Sequence, residues 1–153
     1  MTPDTPTRVK AAETLIDPRG PRFGAAFSAV LLAVIVVLGT SRAGLVLLAV
    51  AVVLFAIGAA RGAQGTLQGV LYRRWVRPRL GPPAHLEDAR PPRFAQAVGL
   101  AVTAAGLLLG LLGLPAAVPI AAAVALVAAF LNAVFAFCLG CEIYLLLRRL
   151  RRA

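Results

Sequence analysis

F-G-A-A-F-S-A-V-L-L-A-V-I-V-V-L-G runs from Phe23 to Gly39, and after Thr40, Ser41 and Arg42 the chain resumes with A-G-L-V-L-L-A-V-A-V-V-L-F-A-I-G-A-A from Ala43 to Ala60. Neither run carries a charge, and each approaches the ~20 residues an α-helix needs to cross the hydrocarbon of a bilayer. Joined by so short a polar turn, the two runs predict a transmembrane helical hairpin. A second pair follows, from Phe94 to Leu114 and from Ala116 to Leu147, joined near Pro115 and Pro119, residues suited to a turn and a helix start. The expected architecture is all-α, an integral membrane four-helix bundle.

The composition agrees. Hydrophobic residues make up 60% of the 153-residue chain and charged residues 14%, where soluble domains carry roughly a quarter charged. Sixteen Lys and Arg stand against six Asp and Glu. Such an excess can mark a nucleic-acid binder, but here apolar runs separate the charges and leave no soluble basic domain. Membrane lipids, through anionic headgroups, are the expected partner, and nucleic acid is not.

All but one of the 16 basic residues fall in the N-terminal segment, between Arg61 and Arg93, or at the C-terminus; only Arg42 lies in a hairpin turn. The positive-inside rule therefore places both termini and the middle segment in the cytosol, in a bacterial cytoplasmic membrane. Residues 1–16 lack the apolar centre of a signal peptide and are expected to form a mobile cytosolic tail. Residues 17–147 form the membrane domain, with spans near 23–39, 43–60, 94–114 and 116–147, and 148–153 a basic tail. The second helix is expected to run on toward residue 77, since Leu67, Val70, Leu71 and Trp75 share a face, and to end at Pro78.

D-P-R-G-P-R-F at Asp17–Phe23 recurs as D-A-R-P-P-R-F at Asp88–Phe94, 71 positions on, each copy just before an odd-numbered span. G-V-L-Y at Gly69–Tyr72 is echoed by C-E-I-Y at Cys141–Tyr144. Duplication predicts two parallel helical-hairpin repeats about an axis along the membrane normal; common border composition is the competing reading. Asp17 and Asp88 are expected to cap or salt-bridge at the helix entrances. Arg22 and Arg93 are expected to meet headgroups, with Arg148 and Arg149 on the same basic face. Alternatively Asp17, Arg19, Asp88 and Arg90 surround the mouth of the bundle and dock a partner.

The one constellation with chemical content is C-L-G-C, Cys138 to Cys141, followed by Glu142. If the fourth helix starts at Pro119, Cys138 lies about 28 Å along it, near the cytosolic interface. At i and i+3 on one helix face the sulfurs admit three readings: apolar packing, thiol redox chemistry, or half of a metal site. In a reducing cytosol the resting pair is expected as two thiols. Glu142 either pairs with an arginine or moves a proton to or from a thiol. Asn132 is expected to be interhelical glue, His85 a solvated loop residue, and the G-x-x-x-G pairs Gly106/Gly110 and Gly58/Gly62 packing surfaces. No bound cofactor is expected.

D-P-R-G-P-R-F together with F-C-L-G-C-E-I-Y-L-L-L at Phe137–Leu147 resembles a bacterial membrane family known as a domain of unknown function and frequent in actinobacteria. The likeness covers Ile16 to Leu147. The resemblance implies neighbouring genes for thioredoxin-like proteins and sulfurtransferases, which leans toward thiol chemistry. Four-helix quinone-linked thiol oxidoreductases such as the vitamin K epoxide reductase family are also similar in carrying Cys-x-x-Cys on a fourth helix. In that family the motif faces outward and is relayed by a second cysteine pair, which this chain lacks.

The expected function is a membrane-embedded thiol protein, a component of thiol-disulfide exchange. Cys138 and Cys141, with Glu142 beside them, would pass electrons or sulfur to a cytosolic thioredoxin-like or sulfurtransferase partner. The alternatives are a non-catalytic scaffold or assembly factor, and then a metal- or small-solute-handling protein. A homo-oligomer is compatible with each.

Overall fold

The computed structural model describes residues 15–152, so most of the expected N-terminal tail lies outside the described residues. Among them are six α-helices, four long and apolar enough to cross a membrane: α1 (Arg19–Leu38), α2 (Arg42–Arg61), α4 (Arg90–Leu111) and α5 (Ala117–Phe135). Two short helices, α3 (Leu67–Leu71) and α6 (Leu139–Leu150), follow the even-numbered spans. Leu15–Ile16, expected within the tail, instead forms a short strand, β1, pairing antiparallel with β2, Glu87–Asp88.

The hairpin turns are made by local chemistry. Gly39 takes φ 58° after α1, and Ser41 caps α2 by accepting a hydrogen bond from Gly44 N–H at 3.1 Å. In the bundle α1 packs most extensively on α5, and α2 on α4. Leu32, Ile35, Leu48, Ala51, Val118, Ala122 and Ala125 form the core. Gly106 lies against Ala121, and a Cβ at Gly110 would stand 2.7 Å from Val118. The small residues let α4 and α5 approach closely, as membrane helices do where dispersion replaces the hydrophobic effect. Outward-facing Val30, Val37 and Ile120 are 68%, 86% and 62% exposed, apolar surface that hydrocarbon would solvate.

Neither even-numbered helix continues as its apolar pattern predicts. Gly62, at φ 79°, stops α2, and Thr66 restarts the chain as α3, which passes into a π-helical turn at Tyr72–Val76. The G-x-x-x-G of Gly58 and Gly62 is thus divided: Gly58 packs against Gln96 while Gly62 ends the helix. The apolar run 116–147 is likewise two helices. Ala136, in the left-handed region at φ 56°, ends α5, and Cys138 begins α6.

Contacts recur at matched positions. Asp17 Oδ1 accepts from Arg19 N–H, and Asp88 Oδ1 from Arg90 N–H, both at 2.9 Å. Phe23 meets Tyr72 with ring centroids 5.8 Å apart, and Phe94 meets Tyr144 at 5.6 Å. Ile16 pairs with Glu87, 71 positions on.

Candidate functional site

Cys138 is not on a helix face. Its extended backbone, φ −89° and ψ 97°, makes it the N-cap of α6, and its Sγ accepts from Cys141 N–H at 3.3 Å. The chain reaches this geometry because Ala136 turns it out of α5 and Gly140 lets α6 lie on α4. A Cβ at Gly140 would stand 2.6 Å from Ala95 Cα and Cβ. The two sulfurs form a disulfide, with Cα atoms 5.1 Å apart, where two free thiols were expected. Leaving the helix at Cys138 is what lets the sulfurs turn toward each other.

The disulfide borders a cavity of about 370 Å³ at the basic end of the bundle. Arg22, Asp88, Asn132, Cys138, Cys141 and Glu142 line it, so five of the expected site residues meet at one place. The opening lies among the ends of α1, α4, α5 and α6. Both cysteines are partly exposed and Glu142 is exposed. Among the described residues Glu142 forms no ion pair, and the one such contact is His85 Nε2 to Glu87 Oε1, 3.1 Å, in the exposed loop.

The other expected residues lie elsewhere. Asp17 Oδ2 accepts from the Tyr72 hydroxyl at 3.1 Å, and Arg19 Nη1 donates to Gly81 O at 3.1 Å. Arg93, expected at headgroups, donates from Nε and Nη2 to the carbonyls of Ala59 and Ala60, both at 2.7 Å. Those carbonyls belong to the last turn of α2, where a cation also meets the negative end of the helix dipole. Arg22 reaches Ala133 O, in the last turn of α5, at 3.4 Å. Arg148 lies 5.9 Å from the Tyr144 ring centroid, and Arg90 and Arg149 are exposed. No group of three or more His, Cys, Asp or Glu able to hold a metal occurs among the described residues.

Beside the disulfide cavity runs a second, of about 240 Å³, largely apolar, extending between α4 and α5 toward Val102 and Val124. Gln96, Asn132 and Cys138 line both. Sequence reading passed over Gln96, although an amide three residues inside an apolar run after Arg93 was a signal. Gln96 also borders a small space shared with Ser28 and Gln68. There Gln68 Oε1 is buried with no hydrogen-bond partner among the described residues.

The fold and site define a class: a multi-pass helical membrane protein with a Cys-x-x-Cys disulfide at a helix N-terminus, opening into a cavity beside the lipid-embedded core. Residues 16–149 match the model of the family described as Domain of unknown function (DUF4395), and the chain belongs to that family. No curated protein and no solved structure matches the chain.

Proposed function

We propose that the chain is a membrane-embedded thiol protein whose Cys138–Cys141 pair exchanges electrons or sulfur with a cytosolic thioredoxin-like or sulfurtransferase partner. The observation that carries the reading is the position of Cys138 as N-cap of the 12-residue helix α6, its Sγ on the Cys141 amide. In the reduced pair this amide and the positive end of the helix dipole stabilise the thiolate. Cys138 is then the attacking sulfur. Its thiolate attacks a partner's disulfide, forming a mixed disulfide and releasing one partner thiolate. Cys141 then attacks Cys138 Sγ, re-forming the internal disulfide and releasing the partner's second thiolate. With a persulfide partner, the Cys138 thiolate instead attacks the terminal sulfur; the partner's S–S bond breaks, Cys138 carries the persulfide and the partner leaves as its thiolate. Glu142, which also lines the cavity, takes the Cys141 proton.

The reading sets the basic end in the cytosol of a bacterial cell, with both termini on that side, in accord with the distribution of Lys and Arg. It also treats the two hairpins as repeats about an axis along the membrane normal, a relation supported by the matched Asp, Phe–Tyr and strand contacts.

The test is trapping. Cys141→Ser in intact membranes is expected to hold a thioredoxin-like partner on Cys138 as a reductant-sensitive adduct, and Cys138→Ser to hold far less. If neither variant traps a partner and neither reduced thiol takes a soluble maleimide in inverted vesicles, the scaffold reading replaces this one.

A further inference from the structure

We propose that the cavity between the start of α1 and the π-helical turn at Tyr72–Val76 is a binding site for the phosphodiester headgroup of an anionic membrane lipid, held by Arg73 and Arg77. The site is separate from the cysteine pair and stands or falls without the thiol reading. Its volume is about 240 Å³, and Asp17, Gln64, Tyr72, Arg73 and Arg77 supply its polar lining.

The counterpart of this cavity is the one beside the disulfide. Asp17, Gly69 and Arg73 line the first, and Asp88, Cys141 and Leu145, 71 or 72 positions on, line the second. Their charges are opposite. The disulfide cavity sets three carboxylates, those of Glu87, Asp88 and Glu142, against one arginine, Arg22. The α1 cavity sets Arg73 and Arg77 against Asp17 alone. Both oxygens of that carboxylate are already engaged, Oδ1 by the Arg19 amide at 2.9 Å and Oδ2 by the Tyr72 hydroxyl at 3.1 Å. Among the described residues neither Arg73 nor Arg77 forms an ion pair. Two guanidiniums without a carboxylate partner, lining one concave surface, match an anion with several oxygens, and the Gln64 amide adds a donor.

The surroundings name the source of the anion. The segment that carries the two arginines also exposes Leu67 and Trp75, each 58% exposed, with Val70 and Leu71 between them. Such a row beside basic residues is the pattern of a chain lying in the membrane interface, where tryptophan sits at headgroup level. Leu15 and Leu86, both exposed, give the cavity an apolar part as well. A phosphodiester joined to acyl chains satisfies the arginines and the leucines together; a free phosphate satisfies only the arginines.

Trp75 is the chain's one tryptophan and stands two residues from Arg73 and from Arg77, so its fluorescence reports the lipid beside the site. The experiment places the full chain in bilayers of phosphatidylcholine and phosphatidylglycerol at about 0.15 M salt, with quenching brominated chains on one lipid or the other. Phosphatidylglycerol is expected to quench at the lower mole fraction. Arg73→Gln and Arg77→Gln are each expected to reduce its binding relative to phosphatidylcholine about fivefold. Both side chains are exposed, so the substitutions leave the fold intact. Arg148→Gln with Arg149→Gln removes two charges from α6, which packs on α4 and α5, and at this salt is expected to leave the preference within about twofold. Inorganic phosphate added at fixed ionic strength is expected to leave it unchanged. A wild type without preference, or an equal loss in the α6 variant, would reduce the effect to general attraction by a basic face and overturn the site. Loss of the preference to inorganic phosphate would assign the cavity to a free anion and overturn the lipid.

Discussion

Two corners of the basic end are built to one plan and finished differently. At the first, Thr66 caps α3 by accepting from Gly69 N–H at 3.0 Å; at the second, Cys138 caps α6 by accepting from Cys141 N–H at 3.3 Å. Thr66 and Cys138 stand 72 positions apart, as do Gly69 and Cys141. The first corner buries its polar side chains: Thr66, Gln68 and Tyr72 are 5%, 4% and 4% exposed, the Tyr72 hydroxyl is held by Asp17, and the cavity of about 240 Å³ beside Gly69 and Tyr72 has no sulfur in its lining. The second is open. Gly140 stands where Gln68 does, the Asp88 carboxylate accepts from the Arg90 amide, and Tyr144 packs with Phe94 and Arg148. The same cap geometry thus serves as a joint in one half and presents sulfur to a cavity in the other.

The strongest way to break this comparison is to move the chemistry across. In Thr66→Cys with Gly69→Cys, the new Cβ at 69 runs into the Ala63 carbonyl and stands 2.8 Å from the Gln64 carbonyl. The connection from α2 to Thr66 spans Gly62–Gly65, folded into a 3-10 turn beneath Gly69, whereas Ala136 and Phe137 alone separate α5 from Cys138. Overpacking against backbone is expected to cost about 3 kcal/mol, measured by denaturation in mixed detergent micelles. A variant of wild-type stability that forms a second disulfide would show the corners to be interchangeable.

A smaller effect tests that burial. Tyr72→Phe removes the bond to Asp17 and is expected to cost about 1–2 kcal/mol, whereas Tyr144→Phe costs a few tenths. The hydroxyl adds a pH signature. Burial, and then the hydrogen bond and charge of Asp17, push the Tyr72 pKa above its usual 10.0. The folded state therefore holds this proton more tightly than the unfolded chain. Its contribution is complete below pH 10 and is lost as the pH climbs through the raised value. Equal losses in the two phenylalanine variants, or a Tyr72→Phe variant with unchanged alkaline unfolding, would remove the distinction.

How much of this was legible follows from where the information lies. The four spans rest on hydropathy and length, which depend on nothing beyond the local sequence. The turns in which Asp17 and Asp88 each accept from the amide two residues on stand before helices that start at Arg19 and Arg90, capped by Pro18 and Ala89 rather than by the aspartates, and the meeting of Cys138, Cys141 and Glu142 follows from their adjacency. The break in α2 had a local signal, Gly62 and Gly65 flanking Ala63 and Gln64, but the amphipathic pattern beyond it argued for a longer helix. The break at Ala136 had none, because Phe135-Ala136-Phe137 contains neither glycine nor proline. Tertiary packing of Gly140 on Ala95 decides it. The disulfide was not expected because the pair was set in a reducing cytosol, a premise about the compartment that the chain itself does not carry.

That unsignalled break supplies the smallest and most discriminating comparison. Gly62 and Ala136 both end a span with positive φ, 79° and 56°. For alanine the left-handed region costs roughly 1–2 kcal/mol, and glycine avoids most of it. Ala136→Gly is expected to stabilise the chain by up to about 1 kcal/mol, the gain reduced by the greater freedom glycine has when unfolded. Gly62→Ala is expected to destabilise it by a similar amount. Strain held at a functional site is maintained by its surroundings, here the disulfide and the seat of Gly140 on Ala95. Reducing the disulfide should therefore enlarge the benefit of Ala136→Gly, because one of the two restraints is gone, while leaving Gly62→Ala unchanged. Unfolding midpoints with and without reductant measure both. If reduction moves the two variants alike, Ala136 is set by the helix end alone and its conformation is independent of the cysteine pair.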